Sequence, residues 1–138
     1  MVIPNNNNEL NKIIIDRLAE KNLSIYRFGI MVGVDARAHL NGHSPEGMYF
    51  HKVLQAFQVL DYKLVTPKGK QIKTLDDFRQ YVRDQAKKAN DFNNFSRLIG
   101  LKNLATMHKF CNYAKPRGIS AKNALKIAHY LNMKIVEA

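Results

Sequence analysis

The chain is short of acid, of cysteine and of long apolar runs, and each shortage removes a class of protein. Its 138 residues hold 11 Asp+Glu against 22 Lys+Arg, a formal net charge of +11. The acids are few and scattered. No carboxylate pair or Ser-His-Asp set is in view, so an enzyme is not expected. One cysteine, Cys111, leaves no intramolecular disulfide and fits a reducing compartment. No apolar stretch nears the roughly 20 residues that cross a bilayer, so membrane insertion is not expected. The opening MVIPNNNN lacks the charged and apolar segments of a secretory signal, and the expected location is the cytoplasm. Residues 1–8, with an Asn run at 5–8, read as a flexible arm.

The cations that remain are unevenly spread. Residues 1–73 carry 10 basic and 6 acidic groups, and residues 74–138 carry 12 and 5. From Phe92 to Val136 there is no acid, yet Arg97, Lys102, Lys109, Lys115, Arg117, Lys122, Lys126 and Lys134 all fall there. A single-signed stretch inside an apolar periodic sequence predicts a binding face for a polyanion, nucleic acid before membrane.

The same unit occurs twice. IYRFGIMVGV at 25–34 recurs as FNNFSRLIGL at 92–101, an offset of 67. VLQAFQVLDYKLV at 53–65 recurs as ALKIAHYLNMKIV at 124–136, an offset of 71. A period near 70 is long for a solenoid and suits a duplicated small domain. The predicted units are 9–66 and 74–138, joined by a hairpin turn and strand at 67–73.

Periodicity and caps give each unit a matching order of elements. Leu10, Ile14 and Leu18 mark a helix over about 8–21. Ser24 caps a short helix ended by Gly33, and a third runs from Asp35 to about Asn41. Ser44-Pro45-Glu46 reads as the start of a fourth, reaching about Leu60. In the second unit Thr74, Asp91 and Ser120 are the caps, Gly100 is the turn, and a helix spans about 102–112. YKLVT at 62–66, KQIK at 70–73 and MKIVE at 133–137 read as strands of one antiparallel sheet. The expected fold is mainly α with a small central antiparallel sheet. Its two tandem helix-turn-helix units would form an internal pseudo-dimer, a monomer acting as its own pair.

Helix, Gly turn, helix is the frame that holds a second helix clear of its support so that it can enter a major groove. Leu101, Leu104, Met107 and Phe110 can face inward, leaving Lys102, Asn103, Thr106, His108 and Lys109 outward. Asn suits adenine, Lys guanine or phosphate, and the Thr methyl thymine. Arg37, His39 and Asn41 hold the corresponding surface of the first unit. Arg27, Asn93, Asn94 and Arg97 on the preceding helices, with Lys115 and Arg117 in the loop at 114–118, complete the candidate DNA-binding set. The spacing Gly29…Gly33-Val34 and Ser96…Gly100-Leu101, the string TMHKF at 106–110 and LKIAHYLNM at 125–133 together resemble the Cro/C1-type (XRE-like) helix-turn-helix family. The first copy departs from it, since VDARAHLNG is about three residues short for a recognition helix. In architecture the chain also resembles TraN-like proteins of Gram-positive conjugative plasmids. The resemblance implies binding of double-stranded DNA on successive major grooves by a transcriptional regulator or conjugative-transfer accessory factor. Other regulatory or transfer proteins are further partners it implies.

Bland readings account for the remaining motifs. His39 and His43 have i, i+4 spacing, but Gly42 intervenes and no third ligand is evident, so neither metal nor cofactor is expected. His108 and Cys111 read as an exposed imidazole beside a buried thiol. Tyr26, Tyr62, Tyr81 and Tyr113 do not alternate with Lys as a single-strand stacking platform would. Two other functions fit the composition: a protein-binding adaptor or phage-encoded inhibitor reusing the fold, and an RNA binder.

Overall fold

The computed structural model describes residues 1–42, 44–101, 103–112 and 118–138, with Leu104 by its backbone alone. Polar caps start most helices by satisfying N–H groups that the first turn leaves open. The Asn6 side chain accepts the Glu9 N–H at the head of α1 (Asn7–Glu20), whose Leu10, Ile14 and Leu18 are buried. Ser24 accepts the Arg27 N–H at α2 (Ile25–Val32), and Gly33 ends that helix at φ 79°. Asp35 caps α3 (Ala36–Leu40). After α4 (Phe50–Val59) come β1 (Tyr62–Val65) and β2 (Gln71–Ile72). Thr74 and Asp77 form a capping box on α5 (Leu75–Ala89). Asp91 caps α6 (Phe92–Ile99), which Gly100 ends at φ 87°. Then follow α7 (Leu104–Asn112), α8 (Ala121–Tyr130) capped by Ser120, and β3 (Lys134–Glu137).

The molecule is therefore mainly helical, with one three-stranded antiparallel sheet in the order β2-β1-β3. Its register has a particular property. Leu64 lies opposite Ile135, flanked by Lys63 opposite Val136 and Val65 opposite Lys134. Leu64 and Ile135 are 71 positions apart, the offset of the second repeated block. Each strand thus faces its own counterpart. The same happens ahead of α4 and α8, where Tyr49 bridges Ser120. Phe50 N–H donates to Ile119 O at 2.8 Å, and Ala121 N–H donates to Met48 O at 2.7 Å. A shift of 71 turns one of these bonds into the other.

Packing follows from this exchange. The first helix of each unit lies on the last helix of the other, α1 on α8 and α5 on α4. Phe78 of α5 meets Phe50 of α4 at 4.7 Å and Phe110 of α7 at 5.6 Å between ring centres. One buried cluster runs from Ile3 to Ile135. Arg17 adds a polar tie: Nε donates to Leu60 O at 2.9 Å, Nη1 reaches Glu20 and Glu137, and the guanidinium sits 4.5 Å over the Tyr62 ring.

Two stretches differ from the sequence expectation. Ser44-Pro45-Glu46 does not start a helix. Ser44 O accepts the Gly47 N–H at 3.1 Å, Gly47 takes φ 73°, and α4 begins only at Phe50. Pro suits the corner of a turn as well as a helix start, and the pairing of Met48–Phe50 with 119–121 decides between them. Nor is the N-terminal segment a flexible arm. Ile3 N–H donates to Met133 O at 2.9 Å and Ile135 N–H to Met1 O at 2.8 Å. Residues 1–3 thereby cover the outer edge of β3, and Ile3 is completely buried.

Replacing Ile3 by Ala should therefore lower stability by about 2–5 kcal/mol in urea unfolding. Val2→Ser, at a side chain 42% exposed, should stay within about 0.5 kcal/mol. A neutral Ile3→Ala would return the segment to the status of a loose arm.

Candidate nucleic-acid interface

In the second unit the turn at Gly100 sets α7 against α6, with α5 beneath both. Helical spacing sends Phe95, Ser96 and Ile99 into the core and leaves Asn93, Asn94, Arg97 and Leu98 on the outer arc of α6. Ser96 is fully buried and satisfies its hydroxyl by donating to Phe92 O at 2.8 Å. Leu101, Met107 and Phe110 form the expected apolar underside around α7. Asn103, His108 and Lys109 are exposed, and Thr106 is half-buried. Asn103 has a second duty, because its Oδ1 accepts the Ala105 N–H at 2.9 Å as a capping residue does. Its NH₂ group and a second lone pair have no hydrogen-bond partner among the described residues. The Asn112 amide lies 3.0 Å from His108 Nδ1, and the ring sits edge-on to Phe92 at 6.3 Å.

The structure brings to α7 two lysines of the acid-free stretch that the candidate DNA-binding set did not include. Two adjoining hollows of about 300 and 180 Å³ lie between α7 and the start of α8, sharing Thr106 and Asn123. Lys109 borders one, and Asn103, Lys122 and Lys126 border the other. Lys122 and Lys126 stand one helical turn apart just after the Ser120 cap. That i, i+4 spacing was the available signal. Lys122 pairs with Glu46 at 3.5 Å. Arg97, Lys109 and Lys126 have no ion pair among the described residues.

The first unit is a different surface on the same frame. Arg27, Arg37 and Asn41 are exposed. His39 is not outward as expected. It is half-buried, its carbonyl accepts the Asn11 amide at 3.1 Å, and its Nδ1 is enclosed with no partner among the described residues. The helix that carries it, α3, has 5 residues where α7 has 9. Asn41 and Gly42, the latter at φ 78°, follow it. Two cations here are already engaged: Lys52 Nζ donates to Val32 O at 3.1 Å, at the negative end of α2, and Lys21 bonds Asp61 at the surface. The Lys21 ammonium holds the Asp61 carboxyl below its ordinary value. The outer arc of α2 carries Tyr26, Ile30 and Met31. Lys102, Lys115 and Arg117 of the candidate set lie outside the described residues, as do His43 and Tyr113.

No protein-family model, curated protein or solved structure matches this chain. No helix among the described residues is long and apolar enough to cross a membrane.

Cys111, near the end of α7, carries a buried thiol. Burial pushes its pKa up to about 11, against the opposing pull of Arg83 and Arg79. The native thiol should therefore react slowly with a disulfide reagent at neutral pH and quickly in urea. Because the folded value lies above the unfolded one, the associated stability is intact below about pH 9 and is lost as pH rises through about 11. Equal labelling rates in the two states would contradict the burial.

Proposed function

We propose that this chain binds double-stranded DNA, with α7 presented to a major groove, as a transcriptional regulator or conjugative-transfer accessory factor. The observation that carries the reading is the contrast between the two faces of the second unit. Its underside is apolar and packed, while α6 presents Asn93 and Arg97 outward, α7 presents Asn103 and Lys109, and Lys126 of α8 borders one hollow with Asn103. Cations without internal partners are the groups that can release counterions from a phosphate backbone. Amides and hydroxyls beside them can tell bases apart.

The reading includes an internal pair of units. Support comes from the two exchanges in which position 64 meets 135 and position 49 meets 120, each a residue opposite its own repeat. Such isologous contacts are what a two-fold axis produces. Paired helix-turn-helix units usually meet grooves about 34 Å apart. The roles within the pair are unequal, since α3 is short and the arc of α2 is apolar. The second unit reads bases, and the first contributes position.

Gel shifts on duplex DNA test this. Affinity should fall on the order of a thousandfold between 50 and 200 mM salt if about 6–10 phosphates are neutralised. Asn103→Ser keeps the helix cap but removes the amide. It should cost about 1–3 kcal/mol and relax preference at one base position. Lys126→Ala should weaken every sequence alike and lower the salt slope by about 1. A flat salt response, or equal binding to RNA, would remove the proposal.

A further inference from the structure

A helix whose apolar residues extend beyond its inner face normally has them covered. In the first unit α2, with Arg27 as its one charged residue, does not. Its inner face, Phe28, Gly29 and Val32, is buried, yet Tyr26, Ile30 and Met31 on the outer arc are 74%, 64% and 58% exposed. The fold does not demand this. In α6 the same three positions, at the offset of 67, are Asn93, Arg97 and Leu98. Tyr26 and Ile30 also border a cleft of about 640 Å³ between α2 and α3, floored by Gly29, Val34 and Ala36. An apolar ridge thus lies directly beside an apolar hollow on one surface.

We infer that the chain dimerises through this α2–α3 surface, the occupant being a second copy of itself. A ridge next to a hollow is self-complementary: under a two-fold axis the ridge of each copy fills the hollow of the other. The charges on the patch agree. Arg27 lies between Ile30 and Met31 on the arc, while Asp35 and Arg37 stand at the mouth of the cleft. None of the three has an ion pair among the described residues. A patch of one sign would fit an acidic protein or a phosphate backbone. A patch holding both signs fits itself, with Arg27 opposite Asp35 of the partner subunit, twice. One oxygen of Asp35 is engaged with the Ala38 N–H at 3.3 Å, which leaves the other for that contact. The opposing term is the net charge of +11 on each copy. Most of that charge lies away from the patch, and at about 0.15 M salt the screening length is about 8 Å. Salt therefore weakens this opposing term, and it weakens the Arg27–Asp35 contacts as well.

Sedimentation or light scattering of the full chain, without nucleic acid, tests this. The mass should rise from 15.8 kDa toward twice that value as concentration goes from about 1 to about 100 μM, the range of a micromolar interface. Ile30→Arg and Tyr26→Ser, both at exposed positions, should each weaken the dimer at least about tenfold. Asp35→Asn retains the helix cap and should weaken it by a smaller factor while reducing the charge contact alone. Leu98→Arg, at the exposed α6 position that corresponds to Met31, should leave the mass unchanged. Thermal unfolding checks that every variant folds. A constant 15.8 kDa, a dimer that survives Ile30→Arg, or one abolished by Leu98→Arg would overturn the inference. A monomeric result would leave duplex binding standing, and a failed gel shift would leave the dimer standing.

Discussion

Two backbone exchanges, one centred on Leu64 and Ile135 and one on Tyr49 and Ser120, hold the rest of the molecule in place. In both, antiparallel pairing joins positions that lie 71 residues apart, the offset of the second repeated block. That geometry carries α1 across to α8 and α5 across to α4. Each unit then completes its core with side chains from the other, as Phe78 does with Phe50. A unit of roughly 65 residues buries a smaller share of its surface than a chain of about 140 does. Joined along the seam, the two form one core.

On this common frame the units have diverged where the frame permits it. Inward positions keep their size class: Phe28 matches Phe95 and Val32 matches Ile99. The outward arcs differ, apolar on α2 and polar on α6. The turn between helices also differs in tightness. A Cβ at Gly29 would come within 2.8 Å of the Val34 carbonyl, while Ser96 fits at the matching place. The first unit therefore brings α3 close and ends it early, whereas the second extends α7 and sets it beside Lys122 and Lys126. Two copies of one sequence plan thus present two kinds of surface.

Features fixed by local hydrogen bonding were legible from sequence. Ser24, Thr74, Asp91 and Ser120 each accept an N–H as a capping side chain must, and Gly33 and Gly100 take positive φ where a turn was needed. The strands were legible because the repeat ended twice in the same β-rich run. Features fixed only by backbone contact were not. Tyr49 and Ser120 pair through their backbones, so their pairing leaves no trace in residue type. Asn22, Asp61, Asn90 and Asn132 also take positive φ, and Asp61 and Asn132 are equivalent at the offset of 71. Asn and Asp have too many other uses for that to stand out. Ile3 was hidden by the Asn run after it. Of the candidate interface, the residues of α6 and α7 were visible through their charge. Lys122 and Lys126 were visible as part of the acid-free stretch, but the apolar periodicity of α8, which reads first as core, kept them out of the candidate set.

The seam also orders events in time. β1 ends at Val65, and its partner begins at Lys134. A chain leaving the ribosome carries the complete first unit long before that partner exists. Ile3 and Leu64 must wait in water, together with the strand edge that Lys134–Glu137 will cover. Closing so long a loop adds only slowly to the entropic cost, so the delay comes from synthesis and not from search. During that interval the nascent first unit offers an unpaired strand to any neighbouring chain, including another copy made on the same message.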